Sequence, residues 1–158
     1  MAEKNQDIAW DEQKIAVVAA KWNSFITDEM MEAAVEALQS KGVKETNIFQ
    51  YRCPGSIELS LACKWCLEHL DSDGVVAIGA VIRGDTPHFD YVCDSVTRGI
   101  TDLNMNSGKP VAFGVLTTDN VEQAAERANT EKGNKGAEAA IALCEMLELK
   151  HSIKSRSR

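Results

Sequence analysis

The chain has 158 residues, 44% hydrophobic and 26% charged, with a formal net charge of -7 at pH 7. That size suits one domain over residues 1–158 with a single sizeable core, and the negative charge disfavours nucleic acid, whose phosphates call for a basic patch. No apolar run approaches the roughly 20 residues that cross a bilayer, which argues against a membrane partner.

Residues 1–13 read as an N-terminal arm. Glu3, Asp7, Asp11 and Glu12 make it too acidic for a transit peptide, and it lacks the apolar centre of a secretory signal. The expected compartment is therefore the cytoplasm.

The first apolar, β-rich run spans 15–20. A helix follows, with Thr27 as N-cap and Asp28 and Glu29 in its first turn. Met31, Ala34, Val35 and Leu38 recur on one face, and Gly42 marks the stop. A second strand is expected over 46–52. A second helix starts near Ser56 and buries Leu59, Ala62, Cys63, Cys66 and Leu70. A third strand covers 74–80. The helix after it starts near Phe89 and carries Val92, Val96, Ile100 and Leu103 on one side. The fourth strand, 111–116, follows Lys109-Pro110, a suitable place for proline at the start of a strand. A fourth helix opens at Asp119 with Glu122 at capping-box spacing. After Gly133-Asn134 a last helix carries Ala137, Ala140, Ile141, Cys144 and Leu147, and residues 150–158 read as a flexible basic tail.

Strands alternating with crossover-length helical segments imply a four-stranded parallel sheet covered on both faces. The expected class is α/β, a three-layer αβα sandwich of flavodoxin-like type. An odd count of five cysteines points to reduced thiols. Cys63 and Cys66 form a CxxC, but it lies inside a helix pattern and not at a helix start, so a packing role is expected.

In such sheets ligands bind beyond the carboxyl ends of the strands. There the sequence places Lys21-Trp22-Asn23, then Pro54-Gly55-Ser56-Ile57-Glu58, then Val81-Ile82-Arg83-Gly84-Asp85-Thr86-Pro87-His88, then Thr117-Thr118-Asp119. Gly84 permits close approach of an anion to backbone amides, and Thr86 adds a hydroxyl. His88 is either a proton shuttle held by Pro87 or a cap on the following helix. Trp22 either stacks on a flat ring or closes the core. Glu58 either favours a helix dipole or accepts hydrogen bonds from a polyol. Arg127 either faces its own helix end or binds a phosphate, and Lys135 is either solvated or presented at an interface. His69 and His151 read as helix-end and tail residues. With one site histidine and no paired cysteine or carboxylate set, no metal is expected. No Walker or Rossmann glycine fingerprint occurs, and the strand ends lack the acid that a phosphorelay receiver needs.

The run Gly79-Ala80-Val81-Ile82-Arg83-Gly84-Asp85-Thr86-Pro87-His88-Phe89-Asp90-Tyr91-Val92 resembles the signature of the lumazine synthase family. Pro54-Gly55-Ser56-Ile57-Glu58-Leu59, Phe113-Gly114-Val115-Leu116-Thr117, Glu122-Gln123-Ala124 and Gly133-Asn134-Lys135-Gly136 support it in order and spacing. The resemblance implies condensation of 5-amino-6-ribitylaminouracil with 3,4-dihydroxy-2-butanone 4-phosphate to 6,7-dimethyl-8-ribityllumazine, the penultimate step of riboflavin biosynthesis, with no metal or organic cofactor. It implies His88 as the proton carrier and Trp22 as the stacking ring, with Asn23 beside it at the substrate. Ser56, Ile57 and Glu58 would meet the ribityl chain, and Ala80, Val81 and Ile82 the pyrimidine. Gly84, Asp85, Thr86 and Arg127 would hold phosphate, while Phe113, Arg127 and Lys135 would come from a neighbouring subunit. The implied partners are the small-molecule substrates and further copies of the chain, as a pentamer or an icosahedral shell of twelve pentamers, with riboflavin synthase as a further candidate. The short segment between Arg127 and Asn134 favours the shell. Trp22 stands where the family often has Phe, Ile57 where an aromatic is common, and Asn129 where Gly is usual. The rival readings are a non-catalytic flavin- or lumazine-binding protein and a shell-forming protein on the same scaffold.

Overall fold

A computed structural model describes residues 7–157. The elements run β1 (Ile15–Ala20), α1 (Ser24–Lys41), β2 (Ile48–Cys53), α2 (Leu59–His69), β3 (Gly74–Ile82), α3 (His88–Ser107), β4 (Val111–Thr118), α4 (Val121–Ala128) and α5 (Lys135–Arg156). Of the expected arm, residues 1–6 lie outside the described residues, as does Arg158 of the expected tail.

All strand pairs are parallel, in the order β2-β1-β3-β4. Ile15 lies level with Ile48 and Gly74, and Val75 with Val111. The two central strands, β1 and β3, are buried along almost their whole length because helices cover both faces. The alternating pleat then sorts their residues into two cores. Ile15, Val17 and Ile78 pack with Met30, Leu38 and Leu143 on the face covered by α1, α4 and α5. Val18, Val75 and Ala77 pack with Leu59, Cys63, Val96 and Ile100 under α2 and α3. Each large aliphatic fully removed from water contributes about 1.5–3 kcal/mol. The expected three-layer α/β sandwich is therefore the fold. Edge strand β2 departs from the expected continuous apolar run, because Gln50, Tyr51 and Arg52 are exposed.

Helix ends differ from expectation at three places. Helix α1 begins at Ser24, earlier than the Thr27 start, with Asn23 as N-cap in the left-handed region at φ 60°. The Asn23 carbonyl accepts from Ile26 and Thr27 N–H at 2.9 and 3.0 Å. Thr27 is buried, and its hydroxyl donates to the Ala20 carbonyl at 2.8 Å, so its side chain serves the strand end instead of a helix cap. Helix α4 is capped one residue later than Asp119. Asn120 Oδ1 accepts from Gln123 N–H at 2.8 Å, and Gln123 Oε1 accepts from Asp119 N–H at 2.8 Å. Gln123, not Glu122, makes both of these bonds. Helix α5 continues to Arg156, so residues 150–156 form its last turns and not a frayed tail; no Gly or Pro interrupts them. On α5 Ile141 is 52% exposed, and Leu143 takes the buried place expected for it.

Gly42 ends α1 at φ 114°, as its backbone freedom allows. Asn134 caps α5 by accepting from Gly136 and Ala137 N–H. Two residues further on, Gly136 lets α5 cross α1 so closely that any side chain there would overlap the Met30 carbonyl. The cysteines of the CxxC are buried in mid-helix, and all five thiols are free.

Candidate active site

The end of β3, the turns that follow β1 and β2, and the start of α3 enclose a cleft of about 160 Å3 lined by Trp22, Asn23, Ser56, Ile57, Ala80, Val81, Ile82, His88 and Val92. Trp22 is placed by backbone. Lys21 N–H donates to the Cys53 carbonyl at 2.8 Å and Trp22 N–H to the Pro54 carbonyl at 3.1 Å, extending the β1–β2 ladder past the sheet. The indole is 67% exposed, so it does not close the core. Asn23 is held by its side-chain amide, which donates to the Ala80 carbonyl at 2.8 Å and ties the β1–α1 turn to β3.

Ser56 is buried, and its hydroxyl sits where a methyl group on Gly79 would stand 2.6 Å away. Only glycine at position 79 lets that turn approach β3. His88 is the first residue of α3 and Pro87 is the N-cap, so His88 lies inside the helix and not at its cap. Its N–H donates to Thr86 Oγ1 at 3.4 Å. Gly84, Asp85 and Thr86 form an exposed loop beside the cleft, with open space around Gly84.

Glu58 is not brought into this cleft. Its Oε2 accepts from Gly55 N–H at 3.0 Å, completing the turn before α2. It lines a different, apolar groove of about 480 Å3, with Tyr51, Leu61, Trp65, Cys66 and His69. The thiols near that groove are poor nucleophiles, since burial raises Cys53 to about 11 and Cys66 in the same direction.

Phe113, Arg127 and Lys135 line a third cleft of about 420 Å3 along edge strand β4, and it shares no lining residue with the cleft holding His88. Arg127 Nη1 donates to the Gln123 carbonyl one turn back at 3.0 Å. Lys135 Nζ pairs with Glu138 Oε2 at 2.7 Å. The sequence reading did not single out Glu138, although its place three residues after Lys135 on a helix signals such a pair. Nor did it assign Val92 to the cleft, having read it only as core.

One chain thus presents a cleft with a ring that can stack and an imidazole that can move a proton, and apart from it a cleft with two cations and an aromatic edge. Among the described residues no three side chains gather to hold a metal, and no helix is long and apolar enough to cross a membrane. The 6,7-dimethyl-8-ribityllumazine synthase family model matches residues 12–151. A 6,7-dimethyl-8-ribityllumazine synthase from Parabacteroides distasonis is 47% identical over 136 residues, covering 86% of this chain and 85% of that protein.

Proposed function

The chain belongs to the 6,7-dimethyl-8-ribityllumazine synthase family, and from that premise we propose that its active site is completed across a subunit boundary, with the Trp22–His88 cleft of one copy meeting the Phe113–Arg127–Lys135 cleft of the next. The chain is a transferase of riboflavin biosynthesis. It condenses 5-amino-6-ribitylaminouracil with 3,4-dihydroxy-2-butanone 4-phosphate, releasing phosphate and water.

The observation that carries the two-copy reading is the division of the site residues between clefts with no common wall. The uncovered groove around Tyr51, Leu61 and Trp65 supports it, since a surface of that apolarity suits burial against another copy. A closed ring needs each copy to offer two different surfaces, one to each neighbour, and these clefts are two such surfaces. The ring is a pentamer. The short connection from Arg127 to Asn134 favours assembly of twelve pentamers into a shell.

Catalysis then rests mainly on holding two substrates together. The pyrimidine lies against the exposed face of Trp22, and Ala80, Val81 and Ile82 define its edge. The phosphate sits between the Gly84–Thr86 loop and Arg127. The amine and ketone form an imine, phosphate is eliminated and the ring closes. Each of these steps relocates protons, and His88 beside Trp22 is the group to carry them. Glu58 meets the ribityl hydroxyls only by exchanging its bond to Gly55 N–H or by using its other oxygen.

Mixing the protein with both substrates and following lumazine absorbance tests the reaction; a rate no faster than the protein-free control would refute it. Light scattering tests the assembly, and a monomer retaining full turnover would refute the shared site.

A further inference from the structure

Arg83 opens the loop that carries Gly84, Asp85 and Thr86, and its contacts reach three elements. Its N–H donates to the Thr118 carbonyl at 2.9 Å, joining the loop to the end of β4. Its Nε donates to Asp119 Oδ1 at 2.9 Å, just beyond that strand. Its Nη1 lies 3.6 Å from Asp90 Oδ1 in the first turn of α3. The guanidinium also sits over the Phe89 ring, 4.3 Å from its centroid. Asp119 is itself fixed, because its N–H donates to Gln123 Oε1 at the start of α4.

We propose that Arg83 is a positioning residue for the phosphorylated substrate: it clamps the β3–α3 loop between the end of β4 and the start of α3, and so sets the anion-binding geometry of Gly84–Thr86. Arg83 is about half exposed and both aspartates more so, and exposed ion pairs add little to stability. Orientation is the use that remains. The guanidinium is planar, so one group satisfies two carboxylates and stacks on a ring at once, which an ammonium cannot do. With both aspartates at hand its charge is largely compensated, so it acts on the phosphate through the loop and not by direct contact. The inference rests on the phosphate assignment made above for that loop.

Steady-state kinetics with each substrate varied in turn tests it. In Arg83→Ala the KM for 3,4-dihydroxy-2-butanone 4-phosphate should rise about tenfold or more, since misplacement by about 1 Å can cost a hundredfold. The KM for the pyrimidine should move less than about twofold, and inhibition by inorganic phosphate should weaken in step with the ketone KM. Arg83→Lys should recover only part of the loss. Asp119→Asn should shift the same parameter in the same direction and add little in the double variant, as expected for one network. An unchanged ketone KM, or parallel rises for both substrates with a lowered melting temperature, would overturn the proposal. Thr86→Val and Arg127→Ala separate the two readings. If they raise the ketone KM and Arg83→Ala does not, only the clamp fails; if neither raises it, the phosphate assignment itself is wrong.

Discussion

The Trp22 indole lies so close over Gly55 that a methyl group there would stand 2.5 Å from indole Cε3. Position 55 therefore sets where the ring lies, although Gly55 offers no side chain of its own.

Gly55→Ala should displace the indole and leave the fold intact, since the ring is mostly exposed. Stacking of a base on an aromatic side chain is worth about 1–3 kcal/mol. The KM for the ribitylaminouracil should rise roughly tenfold, a loss of about 1.4 kcal/mol, while the ketone KM stays within about twofold. A KM for the pyrimidine equal to that of the unaltered protein would mean the ring does not stack on it.

His88→Ala tests proton transfer. General acid–base groups contribute about 10²–10⁴-fold, and less where positioning dominates. A fall in kcat of about tenfold or more is expected, with both KM values little altered. A rate unchanged at every pH would assign catalysis to positioning alone.

Gly136→Ala tests the α1–α5 crossing. The added methyl meets Met30 backbone, which cannot yield as a flexible side-chain end would. Overpacking of this kind costs about 3 kcal/mol, a drop in apparent melting temperature of roughly 10 °C for a chain of this size. An unchanged midpoint would show that the two helices slide apart freely.

Alkaline pH should loosen the fold through its thiols. Burial raises Cys53 and Cys144 from 9.0 to about 11, and Cys63 still further. The folded state then holds protons that the unfolded chain has released, so stability is full below pH 9 and declines as pH rises from there toward 11. Denaturation midpoints measured across that range should fall, and Cys63→Ala should flatten the decline. Thiol alkylation at pH 8 should reach the partly exposed Cys93 before the others.

Much of this was legible in the chain. The strand 15–20 agrees with β1 residue for residue, and the flavodoxin-like sandwich follows from alternation alone. What sequence could not resolve is competition between short polar side chains. Thr27 has the look of a cap and instead bonds a strand carbonyl, while Asn23 takes a left-handed conformation that few residues other than Gly, Asn and Asp adopt. Asp119 and Asn120 compete for one cap, and only the position of Gln123 decides between them. At the site, the turn residues identified Trp22, Ser56 and His88 as neighbours, because strand ends converge in any parallel sheet. The company Glu58 keeps could not be read that way: whether a helix-start carboxylate faces the cleft or folds back on Gly55 depends on a single rotamer.

The separation of the two clefts on one chain has a genetic consequence if copies meet as proposed above. A ring of His88→Ala chains would then turn over slowly at every seam, and a ring of Arg127→Ala chains would bind the ketone weakly at every seam. Mixed in one ring, they meet at some seams with the wild-type His88 cleft of one facing the wild-type Arg127 cleft of the other. Two such impaired alleles of this gene would therefore complement each other when expressed together, whereas two alleles damaged in the same cleft would not.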